Sequence, residues 1–360
     1  MGENRYAIIM AGGPGKRFWP LSTSARPKPF LALDGRETLL RACYRRLRGL
    51  LPAENIIVIA AEAHAALVAE QLPELPPENR VGEAEGKDSA PCIALGTALV
   101  AARCPGGALA TLPADQIIAP ADAFARALEC LFEATAAHEC LGAIGIAPAE
   151  PAVRFGYLEI GPAEGRFGGM DVVRVLRFKE KPSAEAAAEY VRSGRYLWNA
   201  GIFVAPAAVM ADAIRRHCAP LGEALDEFGR LLARGVDPTE VTRRCYGAAP
   251  RISFDYAVAE KAERVIAVHA PFAWDDVGDW RALRRHCAAD ADGNVVVGRH
   301  AGVATRNAIV YAPDLDVATL GVEDLVIAQA GRTLLVARPE RLDELKTLVE
   351  KVAREGWEGV

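Results

Sequence analysis

The sequence predicts an α/β fold with a mixed, mainly parallel sheet covered by helices on both faces, followed by a small region of β-strands and one helix. Short β-branched runs alternate with longer alanine- and leucine-rich helical patterns as far as residue 147, which is typical of a doubly wound parallel sheet. From about residue 151 the pattern changes to longer strands separated by glycine-rich turns. This change indicates antiparallel additions to the sheet.

The first half alternates between the two kinds of element in a regular order. Its strand patterns are YAIIMA, NIIVIAA, ALATL and LGAIGIA. Its helix patterns are ETLLRACYRRLRGL, EAHAALVAEQL, APCIALGTALVAARC and ADAFARALECLFEATAAH. Each strand is short and rich in Val, Ile or Leu, and each helix pattern is long enough to cross back over the sheet.

The second half predicts long strands, then helices over residues 206–245, then a strand at 264–270. The long strands are FGYLEI, DVVRVLRFKEKP and YLWNAGIFVA, and the short ones near the end are GNVVVG, NAIVYA, DLVIAQA and TLLVA. A last helix, PERLDELKTLVEKVARE, places Leu342, Leu345, Val349 and Val352 on one face. We predict one domain over 1–288 and a small β-plus-helix domain over 289–360, without a fixed-period repeat.

Composition excludes several classes of protein. The net charge of −5 argues against a surface that holds nucleic acid or an anionic membrane, because both are attracted by broad positive fields. The eight cysteines form no CxxC pair, so neither a zinc site nor a disulfide framework is expected. We expect a cytoplasmic protein without signal peptide or membrane span, because no apolar run approaches the required ~20 residues.

The loop after the first strand combines glycines with cations. The stretch AGGPGKR follows YAIIMA at the carboxyl end of a parallel strand, where open α/β sheets bind ligands. Glycine lets backbone N–H groups approach a phosphate, and the Walker and GxGxxG spacings are both absent. A tight turn would explain the glycines alone. It would not explain Lys16, Arg17, Arg26 and Lys28 in one loop of an acidic protein.

The stretch GGPGKRFWPLSTSARPKPF, residues 12–30, resembles the sugar-nucleotide pyrophosphorylases, and its WPLS and PKPF forms are similar to the mannose-1-phosphate guanylyltransferase branch. The resemblance implies a Rossmann-like three-layer α/β/α nucleotidyltransferase domain. It also implies transfer of GMP from GTP to mannose 1-phosphate. The glycines and cations of the loop suit that reaction, because nucleotidyl transfer is catalysed mainly by positioning and charge neutralisation. The resemblance assigns nucleotide contacts to Gly12, Gly13, Gly15 and Lys16. It assigns Arg17 and Lys28 as the catalytic cations that face the triphosphate and the transferred α-phosphoryl group.

Two aspartates match metal-binding motifs of the same family. Asp115 ends the predicted strand in LPADQII, and Asp276 lies in the glycine-containing WDDVGDW segment. The resemblance assigns both to Mg²⁺ or another divalent cation, which needs only one or two protein carboxylates. For Asp115 alone, a helix-capping or turn role is the alternative.

The segment VGEAEGKDSAP is similar to the family's base-binding motif and points to Glu83, Asp88 and Ser89. A carboxylate such as Glu83 offers two acceptor oxygens to the N1–H and 2-amino donors of guanine. Ala84 replaces an expected proline, and Lys87-Asp88-Ser89 replaces Arg-Asn-Thr, so base preference stays open. Helix capping is an equal alternative for Asp88 and Ser89.

The motifs FGYLE, FKEKP and WNAGIF resemble the family's sugar-binding motifs. The resemblance assigns sugar and sugar-phosphate contacts to Gly156, Glu180, Lys181, Asn199 and Gly201. The segment SFDYAVAEK adds Asp255 and Lys261 on the sugar-phosphate side, with the start of an amphipathic helix as the alternative.

The leading interpretation is therefore a monofunctional Mg²⁺-dependent nucleotidyltransferase, and the chain is shorter than a member with an added isomerase domain. One alternative keeps the reaction with another hexose or heptose 1-phosphate or another nucleoside triphosphate. A second is a sensor that binds a sugar nucleotide without turnover. Oligomeric state is left open by the sequence, and a homodimer is compatible with the family.

Overall fold

A computed structural model describes residues 4–13 and 15–357, without the side chain of Lys16. The chain divides into two compact units, and each consists of several chain segments. The sheet unit comprises Met1–Gly12, Cys43–Ala114 and Ile118–Trp274, and the small unit comprises Gly13–Ala42, Asp115–Ile117 and Asp275–Val360. These units follow spatial compactness, so the sequential limits 1–288 and 289–360 stay a prediction.

The strands follow the order expected from the sequence. In chain order they are β1 (Arg5–Met10), β2 (Ile56–Ala61), β3 (Arg80–Glu83), β4 (Ala108–Pro113), β5 (Ile117–Ala119), β6 (Leu141–Ile146), β7 (Tyr157–Phe167), β8 (Met170–Lys179), β9 (Tyr196–Pro206), β10 (Val265–His269), β11 (Ala273–Asp275), β12 (Val295–Val303), β13 (Ile309–Leu320), β14 (Val326–Ala330) and β15 (Thr333–Ala337).

The helices also match the predicted helical patterns. They are α1 (Leu39–Arg48), α2 (Ala65–Gln71), α3 (Ser89–Arg103), α4 (Ala121–His138), α5 (Ala184–Ser193), α6 (Ala207–His217), α7 (Ala219–Leu232), α8 (Pro238–Cys245), α9 (Leu283–His286) and α10 (Leu345–Arg354). Helix α3 buries every residue from Ala90 to Val100, because it lies in the core of the sheet unit and not at its surface.

The sheet unit is built on one mixed sheet in the order β3-β2-β1-β4-β9-β6-β10-β8-β7. Parallel pairs join β3, β2, β1 and β4, and a further parallel pair joins β6 and β10. Strand β9 runs antiparallel to both of its neighbours β4 and β6. The predicted mainly parallel α/β class is confirmed, and an antiparallel strand lies inside the sheet as well as at its β8-β7 edge.

The parallel strands place candidate residues at their carboxyl ends. Strand β1 ends two residues before Gly12, and β3 ends at Glu83. Because parallel strands are buried on both faces, their interiors consist almost entirely of apolar side chains, including Ile8 and Ile59. The polar residues that follow these strands are therefore held at one edge of a rigid apolar sheet.

The small unit has its own core, to which both ends of the sequence contribute. Strands β12, β13 and β14 pair in parallel, and β15 pairs antiparallel to β14. The four residues predicted on one face of the last helix are buried here with Phe18 and Trp19 of the opening loop. The predicted β-plus-helix region is confirmed, and residues of the glycine-rich loop belong to the same apolar cluster.

Two short strands, β5 and β11, form a separate two-stranded sheet. Within the described residues, none of the helices combines the length and apolarity required to cross a lipid bilayer.

Candidate functional site

Lys28 is held between two segments that are distant in the sequence. Its side chain is buried, and its ammonium donates to Asp115 Oδ2 at 2.8 Å and to the backbone carbonyl of Asp276 at 2.5 Å. The three residues belong to the small unit, in which the residues after β4 and after β11 accompany the glycine-rich loop. The structure thus brings together one predicted catalytic cation and both predicted metal ligands.

The backbone at Gly15 is specific for glycine. Its φ of +53° lies in the left-handed region, and a Cβ there would be 2.5 Å from Lys28 Cβ and 2.9 Å from Ser22 Oγ. A larger residue would therefore displace Lys28. The loop is anchored next to this turn, since Phe18 packs edge-on against Trp280 at 5.3 Å and Trp280 Nε1 donates to the Trp19 carbonyl at 3.1 Å.

The segment around Asp276 is held by its neighbour Asp275. The Asp275 carboxylate accepts from Arg285 and from the backbone N–H of Val277, and His286 Nε2 lies 2.7 Å from it. Burial alone would raise the pKa of Asp275, but the bonds to His286 and Arg285 outweigh burial and lower it. Val277 has φ of +49°, a conformation that costs a β-branched residue on the order of 1–3 kcal/mol. The Asp275 network offsets this strain.

Arg17 and Asp276 both lie close to Gly278. A Cβ at Gly278 would be 3.7 Å from Arg17 Nη1 and 3.6 Å from Asp276 Oδ2. Arg17 is exposed, so its guanidinium is accessible to a ligand. Gly13 adopts φ of +99° in the same loop, in agreement with the predicted turn, whereas the side chain of Lys16 lies outside the described part of the chain.

The donor set fits a divalent cation of the magnesium type. Carboxylate oxygens of Asp115 and Asp276 are hard ligands, and Mg²⁺ completes its coordination with waters and substrate phosphates. Lys28 connects these two residues through Asp115 Oδ2 and the Asp276 carbonyl, so they lie within the span of one ammonium group. No group of three or more His, Cys, Asp or Glu side chains arranged to hold a metal ion occurs in residues 4–13 and 15–357.

In the sheet unit, Glu83 is a buried carboxylate with a defined partner. Its Oε1 accepts from the Tyr246 hydroxyl in a short hydrogen bond, and a Cβ at Gly12 would lie 3.7 Å from its Oε2. Burial raises the pKa of Glu83 to about 7, and the bond from Tyr246 opposes that rise. Glu83 can therefore change its charge near neutral pH, and the opening glycine leaves space beside it.

Asp88 caps a helix, and Ser89 bonds to a residue that is distant in the sequence. Asp88, with φ of +73°, accepts from the backbone N–H of Ser89 at 2.7 Å and is the N-cap of α3. Ser89 Oγ accepts from the Phe254 N–H at 2.9 Å. These bonds account for both residues structurally, and their contact with a nucleotide stays a prediction.

A second acidic cluster includes the predicted sugar-binding residues. Asn199 Nδ2 donates to Asp255 Oδ1 at 2.7 Å, and Asn199 Oδ1 accepts from Gly201 N–H at 3.1 Å. Burial, with a smaller contribution from the Glu180 carboxylate, raises the pKa of Asp255 to about 7. The cluster is buried and polar, which suits a ligand with many hydroxyl groups.

Glu180 is held at the Gly156 backbone. A Cβ at Gly156 would be 2.5 Å from Glu180 Oε2, and Lys181 Nζ lies 3.0 Å from Glu180 Oε1. The structure therefore brings Gly156, Glu180, Lys181, Asn199, Gly201 and Asp255 together. Lys261 lies outside this cluster, because its ammonium donates to the carbonyls of His217 and Ala257.

Several residues of the site carry no sequence signal of their own. Tyr246 and His286 lie in helical stretches without a recognisable motif, and each meets its carboxylate partner only in the folded chain. Lys87 belongs to a predicted nucleotide segment, yet it donates to the carbonyls of Gly247 and Ala249.

Two protein-family models match the chain. The model described as nucleotidyl transferase matches residues 6–293, and the model described as MannoseP isomerase/GMP-like beta-helix domain matches residues 298–352. The first match covers the sheet and the opening loop, and the second covers the strands and helix that complete the small unit.

Curated proteins and a crystal structure resemble the chain over nearly its full length. A mannose-1-phosphate guanylyltransferase of Escherichia coli (strain K12) is 34% identical over 98% of this chain and 74% of its own. One from Salmonella typhimurium is 36% identical, with coverage of 98% and 74%. A structure from Thermus thermophilus, described as a mannose-1-phosphate geranyltransferase, has 39% identity and a TM-score of 0.86, covering 97% and 99%.

Proposed function

Because this chain belongs to the nucleotidyl transferase family, in its mannose-1-phosphate guanylyltransferase branch, we propose that it transfers GMP from GTP to mannose 1-phosphate. The products are GDP-mannose and pyrophosphate. The observation that carries the proposal is the position of Lys28, whose ammonium bonds to both Asp115 and Asp276. The loop that carries Lys28 requires glycine at residue 15.

The reaction is a direct displacement at phosphorus. A phosphate oxygen of mannose 1-phosphate attacks the α-phosphorus of GTP, and the bond from that phosphorus to the α–β bridging oxygen breaks as the new P–O bond forms. The electron pair leaves with pyrophosphate, and the attacking oxygen carries no proton to be removed. Catalysis then depends on alignment of two polyanions and on neutralisation of their charge.

The cations of the small unit perform that neutralisation. Lys28 is fixed by its two oxygen partners and presents a buried positive charge, while exposed Arg17 is accessible to the triphosphate. Mg²⁺ or a similar divalent ion, held by Asp115 and Asp276, would stabilise the charge on the transferring phosphoryl group. Arg17 has a donor fork that matches phosphate oxygens.

The sheet unit supplies recognition. The ionised Glu83 carboxylate accepts from the N1–H and 2-amino group of guanine, a pair of donors that adenine does not offer. The buried residues Glu180 and Asn199, together with the half-buried Asp255, form the polar cluster that would bind the mannose hydroxyls. Lys181, on the exposed side of Glu180, would compensate the charge of the sugar phosphate.

A matrix of substrates tests this proposal. Purified protein with Mg²⁺ would be assayed for pyrophosphate release with GTP, ATP, UTP or dTTP, each against mannose 1-phosphate, glucose 1-phosphate and a heptose 1-phosphate. We expect GTP with mannose 1-phosphate to have the highest kcat/KM. Another pair with a higher kcat/KM would assign another substrate, and GTP binding without pyrophosphate release for any pair would favour a sensor.

A further inference from the structure

Tyr246 is placed to act on the nucleotide through Glu83. Its hydroxyl donates to Glu83 Oε1, while the other carboxylate oxygen lies toward the Gly12 backbone. The terminal torsion of a glutamate is broad and roughly two-fold, so a carboxylate without a partner samples many planes. A donor on one oxygen restricts that plane.

Tyr246 is itself immobilised on two sides. It is fully buried, and its ring stacks on Phe228 at 5.9 Å with an interplanar angle of 26°. The residues around it are joined to the segment that carries Glu83, because Thr242 Oγ1 donates to the Gly82 carbonyl at 2.7 Å and Lys87 donates to the Gly247 carbonyl at 2.5 Å. The hydroxyl and the carboxylate therefore belong to one rigid network.

We propose that Tyr246 is a positioning residue for guanine: its hydroxyl fixes the plane of the Glu83 carboxylate, which accepts from N1–H and the 2-amino group of the base. This role rests on the proposed function, because it acts only through recognition of the base by Glu83. One carboxylate oxygen has two lone pairs, so Oε1 can accept from Tyr246 and from the base together.

Two effects act on the charge of Glu83 within the described part of the chain. Burial raises the pKa of Glu83 to about 7, and the hydrogen bond from the Tyr246 hydroxyl opposes this rise. The buried Cys92 thiol of α3 also faces the carboxylate, and the charge of Glu83 raises the pKa of that thiol. Removal of the hydroxyl should therefore raise the pKa of Glu83 further and leave a larger neutral fraction at neutral pH.

The test compares GTP with ITP, which lacks the 2-amino group but has the same triphosphate. Tyr246→Phe keeps the ring on Phe228 and removes the hydroxyl. At about pH 7 we expect KM for GTP to rise about tenfold, the value of one hydrogen bond to a charged group, with kcat within about twofold. We expect the GTP-over-ITP preference to fall, and we expect the defect to shrink as the pH rises and a larger fraction of Glu83 ionises.

Two further variants make the outcomes distinct. Glu83→Gln should lower the GTP-over-ITP preference most at high pH, where the wild-type carboxylate is ionised, whereas Tyr311→Phe, which removes a buried hydroxyl bonded to the Ala32 carbonyl at 3.1 Å, should leave it unchanged. An unchanged GTP-over-ITP preference in Glu83→Gln would show that Glu83 does not contact the base. A lower GTP-over-ITP preference in Glu83→Gln, with an unchanged preference in Tyr246→Phe, would overturn the role of Tyr246 alone. Equal losses of activity with GTP and ITP in Tyr246→Phe at all pH values would also overturn it.

Discussion

At the scale of single residues, the site depends on charged groups that are fixed before a ligand binds. Lys28 is buried and has two oxygen partners, and Asp275 accepts from Arg285 and one backbone N–H, with His286 Nε2 at 2.7 Å. Preorganised charges of this kind need no rearrangement during the reaction, which is why they are effective at phosphoryl centres. The consequences can be measured one residue at a time.

Asp276→Asn should reduce kcat on the order of a hundredfold or more, because the variant removes a proposed metal ligand worth several kcal/mol of charge stabilisation. The melting temperature should stay close to that of the wild type, since no core packing is lost. Asp314→Asn is the matched control, as Asp314 is an exposed aspartate of the same unit. Steady-state rates and thermal melts measure both quantities, and wild-type kcat in Asp276→Asn would refute the metal assignment.

The raised pKa of Asp255 predicts how the stability of the fold depends on pH. Its folded-state pKa of about 7 lies above the ordinary value of 3.8, so the folded protein binds the proton more tightly than the unfolded chain does. The Asp255 contribution to the free energy of unfolding is therefore most favourable below about pH 4 and is lost as pH rises through about 7.

Asp255→Asn replaces the titrating carboxyl with a neutral amide of the same shape. The stability of the variant relative to the wild type should rise by roughly 1–3 kcal/mol between about pH 5 and pH 8. Urea unfolding at both pH values measures this difference. A relative stability that stays constant, or falls, with pH would show that Asp255 is ionised throughout.

At the scale of elements, the glycine-rich turn determines where Lys28 lies. Gly15→Ala should lower kcat/KM by at least about tenfold and destabilise the fold by about 1–3 kcal/mol, because φ is positive and the new Cβ would overlap Lys28. Gly229→Ala in α7 is the control, since its added Cβ would have no neighbour within 4 Å in the described part of the chain. Kinetics and urea unfolding of the two variants compare them, and equal activities would contradict the assigned role of the turn.

Sequence patterns predicted most elements because local periodicity reflects burial. The alternation that predicted α3 and β4 depends on residues close in the chain, and both elements are present. The position of β9 between β4 and β6 could not be predicted, because strand pairing depends on contacts between segments distant in sequence. Tyr246 and Glu83 are separated by 163 residues in the sequence, so no local motif predicts their hydrogen bond.

At the scale of the whole molecule, the predicted C-terminal region and the opening loop share one apolar cluster. Phe18 and Trp19 are buried in the same cluster as Leu345 and Val349 of α10. The run of short strand patterns after Asp290 predicted a small β-plus-helix domain, but no local pattern connects that region with the opening loop. A common core means that loss of packing in the last helix should also affect the loop that carries Lys28.

Leu345→Ala should therefore cost about 2–4 kcal/mol of stability and lower activity under conditions in which the sheet unit stays folded. Leu348→Ala, on the same helix at 39% exposure, should cost less than about 1 kcal/mol and leave activity unchanged. Unfolding curves and activity as a function of urea compare the two variants. Full activity in Leu345→Ala after the small unit has unfolded would show that its core does not support the loop.

The central claim is most directly tested by following one reaction mixture of GTP, mannose 1-phosphate and Mg²⁺ by phosphorus NMR. The account predicts that GDP-mannose and pyrophosphate appear in equal amounts as GTP disappears, without GMP or free phosphate. Unchanged GTP, or its conversion to GDP and phosphate while mannose 1-phosphate stays intact, would contradict the account.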